Sequence, residues 1–113
     1  MNRHTSSRSG VVEDIVRQIV ENFHPIRVIV FGSEARGDAT PESDIDLMVI
    51  FDEIDRSRRY EIVAKLMGSV VSPISVDFFV TDLAEYEAGK DVNGTMVYWP
   101  AHEGMVLHDA AVA

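Results

Sequence analysis

The sequence contains no cysteine. That excludes disulfides, thiolate metal centres and cysteine nucleophiles, and it fits a reducing compartment. No apolar run approaches the ~20 residues that a bilayer span requires. The first ten residues, Met1-Asn-Arg-His-Thr-Ser-Ser-Arg-Ser-Gly10, have no apolar stretch of the kind a secretion signal carries. The expectation is a cytoplasmic protein without membrane contact. Bases are scarce, 10 Lys and Arg against 19 Asp and Glu, for a net charge of −9. Such a surface repels phosphate backbones, which argues against general nucleic-acid binding. Three motifs are missing as well: the phosphate loop G-x-x-x-x-G-K-[ST], the nucleophile elbow G-x-S-x-G and the calcium loop of an EF-hand. His4, His24, His102 and His108 form no i, i+4 pair, so a zinc site is not expected.

What remains is an ordinary globular composition, 46% hydrophobic over 113 residues, enough for one domain. Residues 1–10 read as a flexible tail, 11–108 as the domain and 109–113 as a closing tail. Val12, Ile15, Val16, Ile19, Val20 and Phe23 recur at helical spacing, and Pro25 stops that helix. Short β-branched runs at 26–31, 45–51 and 74–80 read as strands. Residues 56–69 read as a helix, Thr81 or Asp82 as the cap of a short one, 92–103 as a helix disturbed by Pro100, and 104–108 as a last strand. The order predicts an α/β fold of the α+β type, with helices on one face of a small mixed sheet.

The chemistry concentrates between Phe31 and Leu47. Asp44 and Asp46 lie two apart at the head of a strand, so both point to one face, with Cα atoms ~6.5–7 Å apart. Carboxylates that close repel unless a cation lies between them, and hard oxygen donors favour Mg²⁺ over zinc. Taken alone, a D-x-D pair is more often a turn residue and a solvated strand residue. Asp77 adds weight: a carboxylate inside an apolar strand is costly if unpaired. Placed beside 44–51 it makes three acids on one sheet face, a set suited to one or two Mg²⁺ ions in phosphoryl or nucleotidyl transfer. An exposed edge-strand acid is the plainer alternative. Gly32-Ser33 follows a strand, where glycine admits close backbone approach and serine offers a hydroxyl and a helix cap. Arg36 could reach a triphosphate or pair with Glu34, Asp38 or Glu42.

Gly32-Ser33, ten residues, then Asp44-Ile-Asp46, with Ala35-Arg36-Gly37 inside and Asp77 downstream, closely resembles the minimal nucleotidyltransferases of the DNA polymerase beta-like superfamily. The resemblance spans about residues 11–108 and includes Glu103-Gly-Met-Val-Leu107. It implies the polymerase beta-like fold, with Asp44 and Asp46 as metal ligands and Asp77 as ligand or base. Gly32 and Ser33 would bind the nucleotide's phosphates, with Arg36 beside them. It further implies a Mg²⁺-dependent enzyme moving AMP from ATP, or an NMP from another NTP, to a hydroxyl. Small members of the family are commonly antitoxins of a helical HEPN toxin, and some AMPylate it. The expected partner is therefore a HEPN-type toxin, its acceptor a tyrosine hydroxyl, with a homodimer as fallback. Docking would draw on Met96-Val97-Tyr98-Trp99 or on Arg56, Arg58 and Arg59. The alternative is a non-catalytic, nucleotide-binding antitoxin or regulatory module that acts by docking.

Overall fold

Val11, Val12, Ile15, Val16 and Ile19 form one buried stripe on helix α1, Arg8–Phe23. The structure is a computed structural model and describes residues 7–111. Ser7 caps α1 by accepting the Gly10 N–H at 2.9 Å. Arg8, Ser9 and Gly10, expected in the tail, are thus the first helical turn, because a serine supplies the acceptor that free N–H groups need. Residues 1–6 and 112–113 lie outside the described residues. At the other end His24 adopts a left-handed conformation (φ 54°), and Pro25 follows.

The four strands are β1 (Arg27–Phe31), β2 (Ile45–Phe51), β3 (Val76–Asp82) and β4 (Met105–Asp109), in the order β3-β2-β1-β4. β1 runs antiparallel to both β2 and β4, and β2 is parallel to β3. A parallel pair needs a crossover, and helix α3 (Arg59–Ser69), entered through a 3₁₀ turn at Arg56–Arg58, provides it. The remaining helices are short: α2 (Ser33–Arg36), α4 (Leu83–Gly89) and α5 (Tyr98–Glu103). No described helix is long and apolar enough to cross a membrane.

Strand parity sorts the core into two layers. Val28, Val30, Ile45, Leu47 and Val49 pack with the α1 stripe and Leu66 of α3. Ile29, Met48 and Ile50 point the other way and pack with Tyr86 of α4 and with Val97. The mixed sheet is as expected, but helices on one face alone are not. Met48 and Ile50 alternate with Leu47 and Val49, so the second face is apolar too and requires its own cover. Val97 is 1% exposed and belongs to that core rather than to a docking surface. Pro100 leaves α5 undisturbed, because it is the helix's third residue, where its missing N–H has no intrahelical role.

The β3–α4 junction is a polar cluster. Asp82, 3% exposed, accepts from the Glu85 N–H at 3.0 Å and so caps α4. It also takes both Nη2 (2.8 Å) and Nε (3.3 Å) of Arg56. Arg59 grips the Val80 carbonyl at 2.7 Å and Glu85 through two nitrogens, and Arg58 pairs with Glu61 at 3.0 Å. The 56–59 bases, considered above as a partner contact, thus also have acid partners within the chain, two of them supplied by a distant strand end and helix.

The Arg56 guanidinium and the backbone N–H groups hold the Asp82 carboxyl at about 2, below its ordinary 3.8. A group with a depressed folded pKa stabilises above its unfolded pKa and loses that contribution as pH falls through the folded one. Asp82→Ala is expected to lower stability at neutral pH by about 2 kcal/mol. Denaturation curves of the two proteins should stay apart above pH ~4 and converge toward pH ~2.

Candidate active site

Register brings two of the three candidate acids together. Asp46 on β2 pairs with Asp77 on β3 in the parallel ladder, and neighbouring strands lie ~4.8 Å apart. Both side chains therefore leave the same sheet face. On β2's other side Asp46 pairs with Phe31, whose ring meets Phe79 edge-on at 5.3 Å between centroids. The acid pair thus stands at the end of an apolar face. Asp77 is exposed, Asp46 half-buried, and Asp44 exposed one step outside β2.

Partial burial pushes the Asp46 carboxyl above the usual aspartate range, and the charges of Asp77 and Asp44 push it further, while Arg36 opposes them. That is the signature of carboxylates gathered with too little positive charge between them. Among the described residues no three His, Asp or Glu side chains converge into a ready-made metal cage. Asp46 and Asp77, with Asp44 beside them, are nonetheless the set that could hold a hard divalent cation: all oxygen donors, mutually repelling, at one strand end.

Gly32 shows why the β1–α2 turn has its sequence. It adopts φ 71°, ψ −148°, a region open only to glycine. A Cβ placed there would lie 2.3 Å from Asp46 Oδ2. The turn therefore runs directly against the Asp46 carboxylate, and the backbone's close approach, expected toward a ligand, is first of all toward this acid. Gly32 rather than Ser33 is the cap residue of α2, and Ser33 is its first helical position. The Ser33 carbonyl accepts from Gly37 N–H at 3.0 Å and Asp38 N–H at 3.1 Å, closing the single turn.

Arg36 pairs with Asp38 (3.3 Å) and with Glu103 at the end of α5 (3.2 Å), which holds its already high pKa higher. Asp38 was among the expected partners, whereas Glu103 is 67 residues away and comes only with the fold. Arg8 is the residue the sequence reading missed. Its Nε bonds Glu34 at 2.9 Å, its Nη1 the Thr40 carbonyl at 3.1 Å and its Nη2 the Ser43 carbonyl at 2.8 Å. One guanidinium thereby ties both ends of the 33–43 loop to α1. The signal was available in Ser7 as a helix cap, which would have moved Arg8 from tail to helix.

Gly32→Ala is expected to destabilise by about 1–3 kcal/mol through backbone strain and displacement of Asp46. Gly68→Ala, where an added Cβ meets nothing within 4 Å, should instead stabilise by about 0.5–1 kcal/mol. Thermal melts of the two variants check this pair. Arg8→Ala should speed amide hydrogen exchange across 33–43 by about tenfold or more while leaving β2 and β3 protected.

Comparison with known proteins agrees with this geometry. The family described as nucleotidyltransferase domain matches residues 12–91. A solved structure from Sulfolobus solfataricus, assigned as a nucleotidyltransferase, superposes with a TM-score of 0.65 over 91% of this chain and 81% of that one. Its sequence is 21% identical, so the likeness speaks for the fold. No curated protein matches the chain significantly. The matched span takes in Gly32, Ser33, Asp44, Asp46 and Asp77 and covers well over half of the sequence, so this chain belongs to the nucleotidyltransferase domain family.

Proposed function

We propose that the chain is a Mg²⁺-dependent nucleotidyltransferase that moves a nucleoside monophosphate, AMP from ATP, to a hydroxyl on a partner protein. The observation that carries this is the in-register pair of Asp46 and Asp77 beside the Gly32 turn. Asp44, Asp46 and Asp77 are the residues to hold the cation, which when bound neutralises charge on the triphosphate and on the leaving pyrophosphate. Gly32 and Ser33 start the turn that faces the phosphates. Arg36, half-exposed beside Asp46, is the base within reach of them once it releases Asp38 or Glu103.

Asp77 suits the proton-accepting role. It is the more exposed of the in-register pair, so an incoming hydroxyl can approach it from solvent. The hydroxyl oxygen forms a bond to the α-phosphorus, and the bond from that phosphorus to the bridging oxygen breaks. Pyrophosphate leaves with the electron pair, and the hydroxyl proton passes to Asp77. Positioning supplies most of the acceleration in such a transfer, and the exposed Asp44 and Asp77 present an open face. An acceptor carried by a second protein would close it. On this reading, which rests on the family resemblance, that partner is a small helical HEPN-type toxin and the chain is its antitoxin.

A second reading has one observation in its favour: the described acids do not close into a three-ligand cage. On that reading the chain binds nucleotide and neutralises its partner by docking alone.

Incubation with ATP, Mg²⁺ and a HEPN-type partner protein should release pyrophosphate and add one AMP mass to the partner. Asp46→Asn is expected to reduce transfer at least about 100-fold while its melting temperature stays at or above wild type, because the change removes a repelled charge. Pyrophosphate release unaffected by Asp46→Asn would refute the assigned site, and partner binding without any transfer would favour the docking reading.

A further inference from the structure

Residues 74–78 run consecutively along the wall of a cleft of about 410 Å³ that also takes in Asp44, Met67 and Val70. Side chains of successive strand residues point to opposite faces. A cleft lined by both parities of the strand lies over neither face alone, and with Asp44 on the β2 side it wraps the start of β3 toward the strand's outer edge. β3 is an edge strand, with β2 as its only sheet partner among the described residues.

The orientation of its peptide groups follows from one hydrogen bond. Ile45 N–H donates to the Ser75 carbonyl at 2.9 Å. With the parallel register, this turns the peptide groups of Ser75, Asp77 and Phe79 toward β2 and those of Val76, Phe78 and Val80 outward. The outward Val80 carbonyl is taken by Arg59. Those of Val76 and Phe78 meet no strand on that side among the described residues. β3 carries no Lys and no Pro, two of the devices that blunt an exposed edge. From Met67 in the cleft, 64% exposed, the apolar wall continues outward to Val71, 77% exposed.

We propose, building on the transferase reading above, that this edge takes an extended segment of the acceptor polypeptide as a fifth strand, setting its hydroxyl side chain beside Asp77. Alternating outward N–H and C=O groups are matched by another peptide backbone, and strand addition is a recurrent mode of peptide capture. A residue directly opposite Asp77 leaves the same face, its Cβ about 4.5–5.5 Å away. Its hydroxyl then lies beside the carboxylate that takes its proton as the oxygen bonds the α-phosphorus and pyrophosphate departs. The flanking residues of the segment point to the opposite side, where Met67, Val70 and Phe78 supply an apolar wall. The acids at Asp44 and Asp77, with the net charge of −9, disfavour a nucleic-acid end in the same place.

The test uses the full chain with Mg²⁺, α-labelled ATP and a library of ten-residue peptides bearing a central Ser, Thr or Tyr among randomised positions. The expected result is label on peptides rather than on free serine or tyrosine amide. The amides of Val76 and Phe78 should exchange at least about tenfold more slowly with the enriched peptide bound. Val76→Pro removes one outward N–H at the first residue of an edge strand, a position that tolerates proline. Met67→Glu places a charge on the apolar wall without touching the strand. Both variants should lose peptide labelling at least about tenfold while nucleotide affinity, read by calorimetry, stays at the wild-type value. Labelling by both variants at the wild-type level would overturn the proposal, as would unchanged exchange at Val76 and Phe78, or label on a mixed-sequence RNA 20-mer in place of the peptides. Wild-type protein that binds ATP but labels no peptide overturns the edge-docking inference alone. Wild-type protein that binds no nucleotide overturns the transferase reading and this inference together.

Discussion

Asp46 and Asp77 are held in register on adjacent strands, and like charges at that separation push apart. Everything near the site resists that push. The ladder between β2 and β3 runs on past the acids through Asp82, and Leu47, Val49 and Val80 anchor the two strands from the buried side. Gly32 closes the third side by laying its peptide against the Asp46 carboxylate. The repulsion at Asp46 is one that a positive charge brought beside it would relieve.

The bases of the chain divide the same labour. Arg8 secures the 33–43 loop to α1, Arg36 ties α2 to the end of α5, and Arg56 with Arg59 locks the far end of β3 to α4. Each joins segments distant in sequence, and each meets a carboxylate that would otherwise add to the acidic surplus. The polar clusters thus sit at the two ends of β3 and β2: one satisfied around Asp82, the other unsatisfied around Asp46. The same residue type has opposite pKa behaviour at the two ends because one carboxylate has a guanidinium and N–H donors while the other is partly buried without them and faces a second carboxylate.

Openness has a cost and a use. Covering the sheet's second face with two short helices leaves the acid end and the outer edge of β3 accessible. The exposed Asp44 and Asp77 thus stand close to the outer edge of β3, and both can be reached from solvent at one end of the sheet. Trp99 is also exposed, at 55%, but it lies on α5 behind a core residue, Val97, so the Met96–Trp99 stretch is less a continuous patch than its composition suggests.

Much was legible in the linear order. The helical stripe of Val12, Ile15, Val16 and Ile19, the β-branched strands and the Gly-Ser…Asp-x-Asp spacing are local or periodic, and local propensity and parity decide them. That Asp44 and Asp46 share a face follows from a period of two. What no local pattern could supply were the pairings. Whether Asp77 stands beside Asp46 depends on a parallel register set across the crossover from Phe51 to Val76. Whether Arg36 meets Glu103, or Arg8 meets Ser43, depends on where helices come to rest. The need for glycine at position 32 is the clearest case: the sequence shows a glycine after a strand, and only the tertiary structure shows the Asp46 oxygen occupying the space where a side chain would be. Side-chain period is a property of one strand, whereas contact is a property of the packed whole, and catalysis depends on contact.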